Sequence, residues 1–291
     1  MTRSARWMVP CMFATALAVA QCAEPETPSQ ASSPRVGSQL SASRVARAAA
    51  AGRLPRRYPR VEWIGEVHAS AMEQVVANAW RFRSSNTRAR CAFIESVARN
   101  SLPRVRQETG VSDPQLYETA IAQAMTRVGC SSAGRLSVFG RPLAFRGALD
   151  DTTVTGAYLD YSPQLLAAMD NADSPDDASV GLDVVLNQAS VDGLGSGDIT
   201  VLSGIVSLGK SDAYYWYDIE QIGYSPGDSI PNQFSIFGSY RLCRFWCHLG
   251  WADLAGSILG SEVGMTTGPA GALGGAIVGA IVGSAAYWLA S

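Results

Sequence analysis

Only two histidines, His68 and His248, occur in the 291-residue chain, so any imidazole chemistry must use one of them. His68 and Cys91 both fall in stretches of helical periodicity, and a Cys91–His68 pair has the residue types of a nucleophile and its base. No acid is placed to orient the imidazole, no oxyanion hole is evident, and a disulfide at Cys91 would consume the thiol. A helix surface or a packed core is the simpler setting for His68. Cys243-x3-Cys247-His248 offers sulfur and nitrogen donors, but no second ligand pair follows at a usual zinc spacing. Asp170-Asn171-Ala172-Asp173, followed by Asp176 and Asp177, offers oxygen ligands. It lacks the glycine and distal glutamate of a calcium loop. Acids at the start of a helix explain it as well. In Gly193-Leu194-Gly195-Ser196-Gly197-Asp198 an aspartate stands where a dinucleotide loop needs its third glycine. The sequence is therefore read as non-enzymatic, with no catalytic residue, metal site, cofactor or small-molecule substrate identified.

Charge is distributed unevenly. Residues 24–146 carry 18 arginines against 9 acids, whereas residues 147–291 carry 16 acids against 3 basic residues. The halves can attract one another, or the basic one can face an anionic surface. Arg81, Arg83, Arg88 and Arg90 could hold phosphates, but the export signal described next argues against nucleic acid and leaves lipid headgroups or solvent. Lys210 is the only lysine and is read as coding bias, not as a site.

Arg3 and Arg6 precede an apolar run, Trp7 to Ala20, ending in Ala18-Val19-Ala20. This is the pattern of a secretory signal peptide over residues 1–20, and the run is too short for a transmembrane anchor. Val19-Ala20-Gln21-Cys22 resembles a bacterial lipoprotein box, with Gln21 departing from it, so Cys22 is a possible lipidation site. Residues 21–55, rich in Pro, Ser, Gln and Ala, read as a disordered linker. An exported chain favours disulfides. With Cys22 set aside, Cys91 with Cys130 and, with more strain, Cys243 with Cys247 are the candidate pairs.

The elements that must position these residues are helical. Residues 56–130 form a basic helical region, with Val67, Met72, Val75, Val76 and Ala79 recurring at threes and fours. Asn86-Thr87 starts a helix expected to run to Asn100, and Ser112-Asp113-Pro114-Gln115 starts another, closed by Gly129. Residues 131–147 are a loop. Residues 148–221 form an acidic helical region, with starts at Ser162-Pro163 and Ser174-Pro175. Its long helix is expected from an Asp198 cap to about Tyr217, and half of the aromatic run Tyr214–Tyr217 should be core. A second loop covers 222–240.

Residues 241–291 are the strongest signal. Gly256, Gly260, Gly264 and Gly268 recur every fourth residue, then Gly271, Gly275, Gly279 and Gly283 after a three-residue step at Gly268-Pro269. Four-residue spacing keeps glycines near one helix face and lets backbones approach. The expectation is a helical hairpin, glycine face to glycine face. No charge follows Glu262, and Pro269–Ala290 would make about 33 Å of uncharged helix, with Tyr287 and Trp288 at interfacial depth. Against spanning stand seven alanines and five glycines in that stretch and the acids Asp253 and Glu262 before it.

Gly271-Ala272-Leu273-Gly274-Gly275-Ala276-Ile277-Val278-Gly279-Ala280-Ile281-Val282-Gly283 resembles the glycine-zipper segments of bacteriocin-like peptides and envelope lipoproteins. Cys243-Arg244-Phe245-Trp246-Cys247 with Trp251-Ala252-Asp253-Leu254-Ala255-Gly256 is similar to the tails of secreted bacterial proteins. The resemblance covers about 50 residues and implies helix association in membranes, and no catalytic residue. The sequence thus predicts a mainly α, exported cell-envelope or extracellular protein with a C-terminal glycine-zipper helical hairpin. Its partners would be membrane lipid or a second copy of itself. The alternative is a soluble secreted binding module in which the hairpin is packed core.

Overall fold

Helix α9 (Pro269–Ala290) is the axis on which the other helices are laid, and it is buried from Gly271 to Leu289. In the computed structural model, residues 34–82, 85–130, 156–222 and 245–290 are described. They form α1 (Pro34–Ala51), α2 (Trp63–Phe82), α3 (Thr87–Thr109), α4 (Pro114–Arg127), a 3₁₀ turn (Ala157–Tyr161), α5 (Ser162–Asp170), α6 (Pro175–Val191), α7 (Ser196–Gln221), α8 (Phe245–Met265) and α9. No strand occurs among the described residues, so the fold is all-α. The expected signal peptide, Cys22, Cys243 and the two loops except Ile222 lie outside the described residues.

Helix α9 packs on α8 and also touches α2, α3, α4 and α7. On its α8 side there are no side chains to separate the backbones. A methyl group added at Gly260 would lie 2.0 Å from the carbonyl oxygen of Gly275, and one at Gly275 would lie 2.1 Å from that of Gly260. Gly256 stands in the same way against Gly279, and Gly264 against Gly271. Numbers rise along one helix as they fall along the other, so the pair is antiparallel. Gly283 is buried on the same helix. The turn between the helices needs Gly268 in the left-handed region at φ 88°, followed by Pro269, which starts α9. Away from the seam the hairpin interlocks with the rest of the bundle. Leu273 fills the space above Gly204 of α7, Leu254 that above Gly209, and the Tyr117 ring of α4 covers Gly274.

The helix starts follow local chemistry. Asn86 accepts a bond from the Ala89 N–H, Asp113 from Gln115 and Ser174 from Asp177, each supplying a partner for an otherwise orphaned donor. Helix α3 runs to Thr109, past the expected end at Asn100 and through Pro103, and closes on Gly110 at φ 68°. Helix α7 is capped at Gly195, and Asp198 sits in its first turn without capping it.

Residues 21–33 lie outside the described residues, and over residues 34–51 the expected disordered linker is instead helix α1. Its composition is weakly amphipathic, but tertiary partners fix it. Arg44 makes a two-pronged ion pair with Glu73 of α2, both bonds 2.7 Å. Arg47 pairs with Asp218 of α7 at 2.8 Å, and the Ser207 hydroxyl donates to Gly52 O. Such bidentate pairs supply geometry that propensity alone does not.

Candidate functional site

Three ionisable side chains meet inside the bundle where α2, α7 and α8 touch. On α2, Ile64, His68, Met72 and Val75 occupy one inward face, so His68 is carried into the core by the same three- and four-residue spacing that buries its neighbours. Asp212 of α7 and Asp253 of α8 occupy equivalent inward positions, and all three residues are 0% exposed. His68 Nδ1 lies 2.7 Å from Asp212 Oδ1, and His68 Nε2 lies 3.3 Å from Asp253 Oδ1. The Trp216 indole N–H, one turn along α7 from Asp212, donates to Asp253 Oδ2 at 2.7 Å. Trp216 in turn stacks on Trp288 of α9, with ring centroids 5.4 Å apart.

Burial by itself would push the His68 pKa down. The Asp212 and Asp253 carboxylates outweigh it and hold the imidazole at about 10. Burial raises the Asp212 carboxyl above the usual range, opposed by His68. Only part of the hydrogen-bonding capacity is used: His68 Nε2, Asp212 Oδ2 and Asp253 Oδ1 have no hydrogen-bond partner. Closed off from solvent, the cluster can exchange protons, but it offers no surface to a diffusing substrate. Two hollows among the described residues lie elsewhere, one along α4 and one between α4 and α8.

The other candidate residues separate. Cys91 is disulfide-bonded to Cys130 with Cα atoms 5.6 Å apart, so the Cys91–His68 pair does not form and α3 is tied to the end of α4. Cys247 is buried in the first turn of α8, beside half-buried His248. Asp176 accepts from the Tyr214 hydroxyl and Asp177 from the Ser174 hydroxyl, which accounts for the acidic run as a capped helix start. Arg90 donates to Phe82 O at the end of α2, to Ser85 O just after it, and to Leu289 O near the end of α9, instead of facing outward with Arg81 and Arg88. Tyr215 and Trp216 are buried, and Tyr214 and Tyr217 are partly so. Tyr287 and Trp288, placed by sequence at interfacial depth, are buried in this fold. Lys210 is a structural residue after all. Its ammonium, almost fully buried, binds both Asp183 oxygens at 2.9 and 2.8 Å and Arg53 O at 3.2 Å.

The His68–Asp212–Asp253 cluster was not foreseen, because its members come from three helices 41 to 185 positions apart. One signal was present: Asp212 and Asp253 each interrupt an otherwise apolar helix face. Comparison with known families, curated proteins and solved structures returns no match.

Proposed function

We propose that this is an exported, membrane-active or envelope-associated protein that keeps a lipid-seeking hairpin folded inside a water-compatible helical sheath. One observation carries the reading. The only described helix long and apolar enough to cross a membrane, α9, has its first packing partner in α8, through a backbone seam that needs no third element. A hairpin joined by its own glycines can leave a sheath as a unit, presenting Leu273, Ile277 and Ile281 to lipid. Helices α2, α3, α4 and α7 shield those faces in water. The test is vesicle flotation and dye release by the mature chain. Binding that depends on intact α9 supports the reading, and a chain that stays in the aqueous fraction under both native and mildly destabilising conditions refutes it.

A second reading is favoured by the burial of α9 itself: a soluble secreted interaction module whose hairpin is permanent core. Val180, Val184 and Val191 stand exposed along α6 and would serve as its contact face.

A further inference from the structure

We infer that the connection between α1 and α2, residues 53–60, is a docking surface for anionic phospholipid headgroups. The occupant rests on the membrane reading; the lipid class and the residues that meet it go beyond that reading. Arg53, Arg56, Arg57 and Arg60 all stand exposed in a stretch that holds no acid. Arg47, Arg99 and Arg104 are exposed too, but each is answered by a carboxylate. Arg53, Arg56 and Arg60 have no side-chain partner among the described residues. Arg57 donates to a neutral carboxamide, Asn187 Oδ1 of α6, and lies over the Tyr58 ring. Four like charges this close repel one another, and a layer of phosphates relieves that repulsion.

The arginines are displayed from a fixed backbone. Tyr58 is buried and donates its hydroxyl to Asn187 Oδ1 at 2.7 Å, while its N–H closes a turn on Pro55 O at 3.0 Å. Lys210 holds Arg53 O at 3.2 Å, and Val61 is buried where the stretch enters α2. A surface ordered in advance binds at a lower entropic cost than a loose basic tail. Leu54 and Trp63 flank the arginines and are only partly buried. An indole beside cationic side chains suits the headgroup layer, which a soluble polyanion does not offer. The nearest acids in sequence, Glu62 and Glu66, sit at the start of α2, where the positive end of the helix favours them. Arg90, one of the arginines that the sequence offers for lipid headgroups, is taken up by three backbone carbonyls instead.

The experiment floats the full mature chain with vesicles of phosphatidylcholine alone and with vesicles that also contain phosphatidylglycerol, at low and at high salt. We expect more of the chain on the anionic vesicles, and the excess should vanish in high salt. Arg56→Gln with Arg60→Gln should weaken binding to anionic vesicles about 30-fold, roughly 5-fold for each arginine. Tm should not change, because neither side chain has a partner to lose. Arg99→Gln with Arg104→Gln removes the same charge from ion-paired positions and should bind as wild type does. Equal binding to both kinds of vesicle, equal losses in the two double variants, or binding to neither vesicle overturns the assignment. Equal binding to both vesicles, with dye release, does so while leaving the stored hairpin standing. Salt-sensitive binding that depends on Arg56 and Arg60 but never releases dye supports the docking surface and removes only the insertion of the hairpin. Heparin bound through the same arginines, with no binding to phosphatidylglycerol vesicles, overturns the lipid occupant.

Discussion

Helix α8 presents two faces that are buried for opposite reasons. One face is glycine and meets α9 backbone to backbone. The other carries Asp253 into a cluster of charged groups with α2 and α7. The glycine face gains by having nothing on it, since close approach brings many weak contacts into range. The charged face holds groups whose removal from water is costly, and it persists because the partners compensate one another. The first tolerates no added atom, and the second tolerates no lost one.

That contrast can be broken, and the largest effect should come from the charged face. His68→Ala leaves two buried carboxylates without their cation and should cost about 3–5 kcal/mol, read as a fall in Tm of roughly 10 °C. A fall of only a degree or two would mean that water reaches the cluster. Next comes the seam. Gly260→Leu forces a side chain where even a methyl group would stand 2.0 Å from Gly275 O. The cost should be at least the upper end of overpacking, about 3 kcal/mol, and chemical denaturation at unchanged m-value would measure it. Lys210→Met sharpens the comparison, because it also breaks an ion pair. Its partner Asp183 keeps 32% side-chain exposure and can be resolvated, so the loss should be nearer 1 kcal/mol. Equal losses for His68→Ala and Lys210→Met would show that full enclosure of the cluster has no energetic consequence.

The smallest effect is a pH dependence. Burial raises the Asp170 pKa to about 6. An acid with a raised folded pKa is harmless while it is neutral in both states. The unfolded chain ionises first, so the contribution of Asp170 to stability falls as pH rises from about 4 to 6 and is level above that. Asp170→Asn should abolish this slope, so the wild-type-minus-variant Tm difference should fall across that window by the equivalent of order 1 kcal/mol after screening. A difference independent of pH would contradict the assignment.

The two faces of α8 were unequally legible in the sequence. Glycines every fourth residue with one phase break are a local pattern, and a local pattern is enough to specify a hairpin and its facing sides. The caps at Asn86, Asp113 and Ser174 were readable for the same reason, as was the Cys91–Cys130 bond, from the expected compartment and flanking helices. The cluster was not, because nothing local distinguishes a buried Asp253 from a solvated one until α2 and α7 are in place. Helix α1 was missed on the same ground. Its arginines look like those of a solvated tail, and only Glu73 and Asp218, on other helices, make them structural. Lys210 was dismissed as composition because its partner Asp183 is on another helix.

The most direct test of the stored hairpin compares Gly279→Leu with Ile277→Leu. Gly279 lies on the seam, where an added methyl would stand 2.0 Å from Gly256 O. Ile277, fully buried on the same helix away from the seam, changes almost isosterically. Each mature protein is followed by thermal unfolding in water and by liposome flotation. The account predicts that Gly279→Leu unfolds at clearly lower temperature than Ile277→Leu, and that a larger fraction of it floats with vesicles, because the sheath opens and α9 is more apolar. A Gly279→Leu protein that loses its fold while neither variant nor wild type ever floats contradicts the membrane reading. One that matches Ile277→Leu in both assays contradicts the seam itself.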